Sequence, residues 1–166
     1  MSNPSVFGGY FNAAAFAYGS AGGPAALVCD APNAIPASPL VAQAMTVSFG
    51  YTTTLDGRVF YPLATNAAIT VGSDGNSETV TPASVTGSGV PVYDSNSFTA
   101  EFADAHGRGD PIRSATFGLQ EAANYAASQG GGIVVVDSEW SRLGGTTTMY
   151  NNVTLPSGVT KQDNRG

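Results

Sequence analysis

The sequence predicts a mainly β protein, a small antiparallel sandwich or barrel with one short helix at about residues 118–128 and an extended N-terminal arm. Three observations carry that expectation. Strand-like alternation recurs through residues 43–102, interrupted by turn residues roughly every 8–12 positions. The 166 residues include 21 Gly and 10 Pro, which favour many turns over long helices. A single Ala-rich stretch, ended by three consecutive glycines, has helical character.

The arm is assigned to residues 1–42. The first 55 residues carry one charge, Asp30, yet hold Phe7, Tyr10, Phe11, Phe16 and Tyr18 among small residues. Disordered tails are normally charged and poor in aromatic rings, and rings left exposed would form an adhesive patch. An extended arm that buries its rings is therefore expected. It either wraps its own domain or docks on a neighbouring subunit, and the docking alternative makes Phe7, Tyr10, Phe11, Phe16 and Tyr18 the partner-binding residues. Deleting residues 1–20 should then leave a folded sheet that no longer assembles.

Residues 43–102 form the predicted antiparallel β region. Met45, Val47, Phe49 and Tyr51 share one face, with Thr46, Ser48 and Gly50 on the other. Asp56-Gly57 supplies the positive φ values of a two-residue hairpin turn, and the chain returns through residues 59–61 to Pro62. Residues 68–71 and 78–81 read as strands around a turn at 73–77. Residues 84–92 read as turn-rich, residues 90–93 as extended, and residues 98–102 as a further strand.

Residues 103–166 are expected to add a helix and strands packed on the same domain. Residues 103–113 read as a polar loop. The helix follows, with Glu121 early where it favours the dipole and Gly130 at its end. Its face of Leu119, Ala122, Ala123, Ala126 and Ala127 is small, so it needs tertiary support. Residues 133–136 (Ile-Val-Val-Val) lack polar alternation and read as a strand buried on both sides. A last strand brackets the Pro156-Ser157-Gly158 turn.

Composition excludes several functions. Only 11% of residues are charged and the net charge is −6, with six scattered basic residues, so a phosphate-binding surface for nucleic acid is not expected. One cysteine, Cys29, cannot form an internal disulfide and lies among apolar residues. No stretch is long and apolar enough for a membrane span, and the first residues lack the basic start and apolar core of a signal peptide. Assembly in a host cytoplasm is expected.

Leu119, Gln120 and Ala123, then Gly130, Gly131 and Gly132, Val134 and Val136, and finally residues 155–160 (Leu-Pro-Ser-Gly-Val-Thr) form a recognisable order. This order resembles the N-terminal cap and first coil of pectate-lyase-like right-handed β-helices, which include phage tailspikes and polysaccharide-degrading enzymes. The resemblance covers about the last 50 residues. It implies the first coil of a β-helix and places the family's catalytic residues on later coils, so none is assigned here. The overall composition is also similar to small virion proteins of tailed bacteriophages, such as capsid decoration and auxiliary proteins.

Other candidate residues are better explained structurally. His106, Asp104 and Asp110 lie within seven positions but provide too few His or Cys for a zinc site. Arg108-Gly109-Asp110 spells an adhesion tripeptide that a turn explains equally well. Asp74, Asn76 and Glu78 alternate oxygen ligands without the longer register of a calcium loop. Ser73 and Ser157 would have to use His106, the single histidine, as base. The three glycines follow a helix, the wrong order for a phosphate loop. Trp140 with Tyr150 would serve either as a sugar-stacking platform or as packed core.

The expected function is therefore non-catalytic and needs no cofactor or metal: a structural subunit of a viral particle, a capsid decoration or stabilising protein located in the virion. Its partners would be a major capsid protein or copies of itself in a homo-oligomeric assembly. The alternatives are a carbohydrate-binding or carbohydrate-active module, and an extracellular adhesion or filament subunit.

Overall fold

The computed structural model describes residues 9–20, 27–30, 41–49, 54–55, 58–59, 63–86 and 96–166. The protein is mainly β, as expected. Its strands are β1 (Tyr10–Asn12), β2 (Leu27–Cys29), β3 (Val41–Phe49), β4 (Thr54–Leu55), β5 (Arg58–Val59), β6 (Ile69–Val71), β7 (Glu78–Val80), β8 (Ser84–Thr86), β9 (Asn96–Phe102), β10 (Pro111–Ser114), β11 (Gly132–Val136) and β12 (Val159–Asp163). The helices are α1 (Leu119–Ser128), α2 (Ser138–Arg142) and α3 (Thr147–Asn151), and a 3-10 turn spans Ala13–Phe16. Among the described residues no helix is long and apolar enough to cross a membrane.

Seven strands form one antiparallel sheet in the spatial order β7-β6-β10-β2-β3-β9-β8. Chain connectivity forces this sheet to curl. Laid flat, its edges would stand about 29 Å apart, six steps of about 4.8 Å. The edge strands β7 and β8 are separated only by residues 81–83, and the step from Val80 to Ser84 spans at most about 14 Å. The edges therefore converge on β9. There Ala83 N donates to Thr99 O at 2.7 Å, and Glu78 of β7 accepts from Ala103 N and Asp104 N, each at 2.9 Å. The ladder does not close into a barrel, but the roll encloses a core of Tyr18, Leu27, Met45, Val47, Ile69, Phe98, Phe102 and Ile112.

The second unit is a three-stranded parallel sheet, β1-β11-β12, covered by α1. Strand β11 pairs with β12 over five residues, from Gly132↔Val159 to Val136↔Asp163. Helix α1 ends in a Schellman arrangement, with Gly131 N donating to Ala126 O and Gly130 N to Ala127 O. Gly130 takes the left-handed φ of +94° that this ending requires. Val134 and Val136 are fully buried while Ile133 and Val135 are half-buried, so β11 alternates rather than being enclosed on both sides. The reason is that α1 covers one face of this sheet.

Several expectations change. The polar loop at 103–113 contains β10, and the turn-rich stretch contains β8. Two five-residue helices, α2 and α3, join the predicted one. Both are capped locally: Asp137 accepts from Trp140 N and Thr146 from Met149 N. The described part of residues 1–42 supplies β1, β2 and the start of β3, so these residues are sheet members rather than a separate extension. The Leu55↔Arg58 pairing matches the predicted hairpin, whose tip lies outside the described residues, as do residues 90–93.

Candidate functional site

The five aromatic residues of the arm divide sharply. Phe7 lies outside the described residues. Phe16 and Tyr18 are fully buried, Phe16 in the helix-and-parallel-sheet core and Tyr18 inside the roll. Phe11 is half-buried and meets Tyr125 edge-on at 5.5 Å, and Phe16 meets the same ring at 5.4 Å. Only Tyr10 faces solvent, with 71% of its surface exposed, the one large exposed hydrophobic side chain among the described residues. The arm thus folds into its own chain, which removes Phe16 and Tyr18 from any docking surface. Deleting residues 1–20 would take ring volume from both cores, so it cannot separate folding from assembly.

Tyr10 sits on β1, an edge of the parallel sheet, and among the described residues nothing pairs with the outer side of that strand. The strand is rigidly held from within. It pairs with β11 through Tyr10↔Ile133, Phe11↔Val134 and Asn12↔Val135. Asn12 donates to Asp137 Oδ2 at 2.7 Å and caps the following 3-10 turn by accepting from Ala14 N at 2.9 Å. An exposed ring on a fixed, unpaired edge is suited to binding another protein surface.

The His106 cluster is a seam rather than a metal site. His106 is 1% exposed and its ring packs edge-on against Phe102 at 5.6 Å. Its Nε2 lies 2.8 Å from Glu78 Oε1 and its Nδ1 3.3 Å from Asp110 Oδ2. Glu78 also accepts the two backbone N–H groups at the end of β9, so one carboxylate ties β7, β9 and the following loop where the roll's edges meet. Partial burial raises its pKa, but hydrogen bonds from Ala103 N, Asp104 N and His106 outweigh that and hold it below the usual carboxylate range. The stability this carboxylate supplies is therefore present at neutral pH and is lost as pH falls through its folded value. His106→Ala is expected to lower stability by about 2–4 kcal/mol in urea denaturation; a loss under about 1 kcal/mol would mean the ring does not hold the seam.

This arrangement also disposes of neighbouring candidates. With carboxylates at both ring nitrogens, His106 is not placed to serve Ser73 or Ser157 as a base. Asp110 is engaged by His106 and Gly107 N, while Arg108 pairs with Asp30 at 2.7 Å, so both charges of the tripeptide are used within the chain. Asn76 donates to Ala105 O instead of joining Asp74 and Glu78 around an ion. Among the described residues no group of three His, Cys, Asp or Glu side chains could hold a metal. Cys29 is buried beside Met45, its Sγ 2.8 Å from Sδ, and burial with nearby Asp110 pushes the thiol up to about 12.

Trp140 is fully buried, and its Nε1 donates to Thr116 O at 3.3 Å, so it is core and not a sugar platform. Near it, the chain's one lysine, Lys161, donates to Tyr150 O and lies over the Tyr150 ring at 4.1 Å. Arg165 pairs with Asp163 and faces both the Trp140 and Tyr150 rings. A shallow recess of about 650 Å³ here is lined by Ser141, Thr147, Asp163 and Arg165.

Residue patterns did not reveal the buried polar cluster at the junction of the two cores. Ser114 Oγ accepts from Gly118 N at 2.8 Å and Thr116 N at 3.2 Å, and donates to Glu121 Oε2 at 2.8 Å. Glu121 is 2% exposed, and burial raises its pKa to about 7 despite hydrogen bonds from Ser114 and Thr116. Its early helix position suggested only a favourable dipole contact. Which residues enclose it depends on how α1 docks.

Compared with known proteins, the chain matches no family model and no curated protein.

Proposed function

We propose that the chain is a non-catalytic structural subunit of a viral particle, a decoration or stabilising protein that binds a lattice through the outer edge of β1. The exposure of Tyr10 on that edge carries the reading. Interfaces are enriched in such rings, and an edge strand adds backbone hydrogen bonds to them. The low charge of the chain fits a protein whose surface is largely covered by partners. Those partners are a major capsid protein or further copies of the chain.

The test is light scattering of the full chain across a concentration series, alongside Tyr10→Asp. Aspartate at this solvent-facing position should leave the circular dichroism spectrum unchanged and weaken association at least about tenfold. Unchanged association in the variant would sink the role of β1. A wild-type protein that stays monomeric at every concentration would exclude self-assembly and direct the same comparison to a capsid lattice.

The parallel, in-register pairing of β11 and β12 favours a second reading, a carbohydrate-binding or carbohydrate-active module built on a β-helix coil. Burial of Trp140 moves its candidate surface to Tyr150 and the recess beside Arg165. Glycan titration without any binding by the isolated chain would remove this alternative.

A further inference from the structure

The junction between the two units is built around a carboxyl group with incomplete hydrogen bonding. Glu121 Oε2 is served by Ser114 at 2.8 Å and, more weakly, by Thr116 at 3.4 Å, but Oε1 has no partner. From the roll's side, the Tyr18 hydroxyl lies close enough to Glu121 to favour its ionised form, although the Tyr18 oxygen has no partner within strict hydrogen-bond geometry. Other groups around Glu121 are the uncharged hydroxyls of Ser114 and Thr116, and among the described residues no Lys, Arg or His pairs with it. Tyr18 belongs to the core of the roll, whereas Glu121 lies on α1, whose apolar face belongs to the other core. Ser114 ends β10, and Ser114 N donates to Tyr18 O, so all three chain segments meet here.

We propose that Glu121 is a proton-operated latch between the roll and the helix-and-parallel-sheet unit. Protonated, the carboxyl group sits uncharged between the cores, and its O–H adds a donor that the Tyr18 oxygen can accept. Ionised, it places between them a buried charge with no cationic partner, a cost that the hydroxyls of Ser114, Thr116 and Tyr18 offset only in part, and this strains the packing of the 114–121 turn. The sign follows from linkage: a carboxyl group that holds its proton more tightly when folded adds most stability below its unfolded pKa, usually 4.5. That contribution is lost as pH rises through about 7. Glu78, whose folded value lies below the usual range, acts in a separate acid window. The latch does not depend on what the β1 edge binds.

Trp140, the single tryptophan, reports on this point because its indole N–H bonds Thr116 O. Its fluorescence in the full chain should show a transition centred near pH 7, and amide exchange across residues 114–121 should quicken above it. Measured against Glu121→Gln, the wild-type unfolding constant should rise on the order of a hundredfold from pH 5 to pH 8. The variant carries a permanently neutral side chain and should lack the transition. A flat wild-type profile, or the same transition in Glu121→Gln, would overturn the proposal. If the variant does not fold, carboxyl-carbon NMR of the wild-type protein decides: titration of Glu121 near pH 7 supports the latch, and titration in the ordinary carboxylate range rejects it.

Discussion

Replacing Trp140 with alanine is expected to destabilise the protein by about 3–5 kcal/mol. The ring is fully buried in the core formed by α1, β11 and the 3-10 turn, so truncation opens a large cavity among side chains already fixed by the backbone. Collapse into that cavity is hindered. Gly145 lies against the ring so closely that a Cβ there would overlap it, and Asp137 caps the first turn of α2 beneath. Truncation also leaves the Thr116 carbonyl without its indole donor, next to the Ser114 cluster. Urea denaturation followed by circular dichroism measures the effect. A loss below about 2 kcal/mol would mean that the ring is not packed as described, and would reopen an exposed role for it.

Gly118→Ala should cost more, above about 4 kcal/mol, and detach α1 from the N-terminal segment. Gly118 has φ +86° and follows Phe117 at φ +51°, so two successive residues are left-handed at the start of α1. A side chain in that region costs about 1–2 kcal/mol by itself. The larger part comes from contact. A Cβ at residue 118 would lie 2.5 Å from Ala17 N and closer still to the Ala13 oxygen and the Phe16 carbonyl carbon. Those atoms are backbone and cannot rotate away. Gly130→Ala is the control: its φ is +94°, but nothing lies within 4 Å of its Cβ position. Equal losses in the two variants would show that conformational strain, and not the approach of the 3-10 turn, accounts for the requirement.

Both predictions concern a junction that the residue order does not display. Asp137 and Thr146 cap α2 and α3, but five residues are too few for a 3.6-residue period to emerge. Strand β10 begins with Pro111 and carries Arg113, so by itself it looks like loop; its place between β6 and β2 comes from neighbours supplied by distant parts of the chain. The aromatic spacing of the arm showed that its rings needed covering. It held no information on what would cover them, because the pairing of β1 with β11 joins opposite ends of the sequence.

By itself the sequence determined the mainly β class, the hairpin pairing of Leu55 with Arg58, the strands around residues 45, 70, 79 and 100, and the glycine-terminated helix. Each rests on alternation, turn chemistry or capping within a few residues. Tertiary structure decided the rest: the curl of the sheet, the seam at His106, the burial of Phe16, Tyr18 and Trp140, the exposure of Tyr10 and the enclosure of Glu121. These depend on which surfaces meet, and burial sets both the charge a carboxyl group can carry and which ring is left facing solvent.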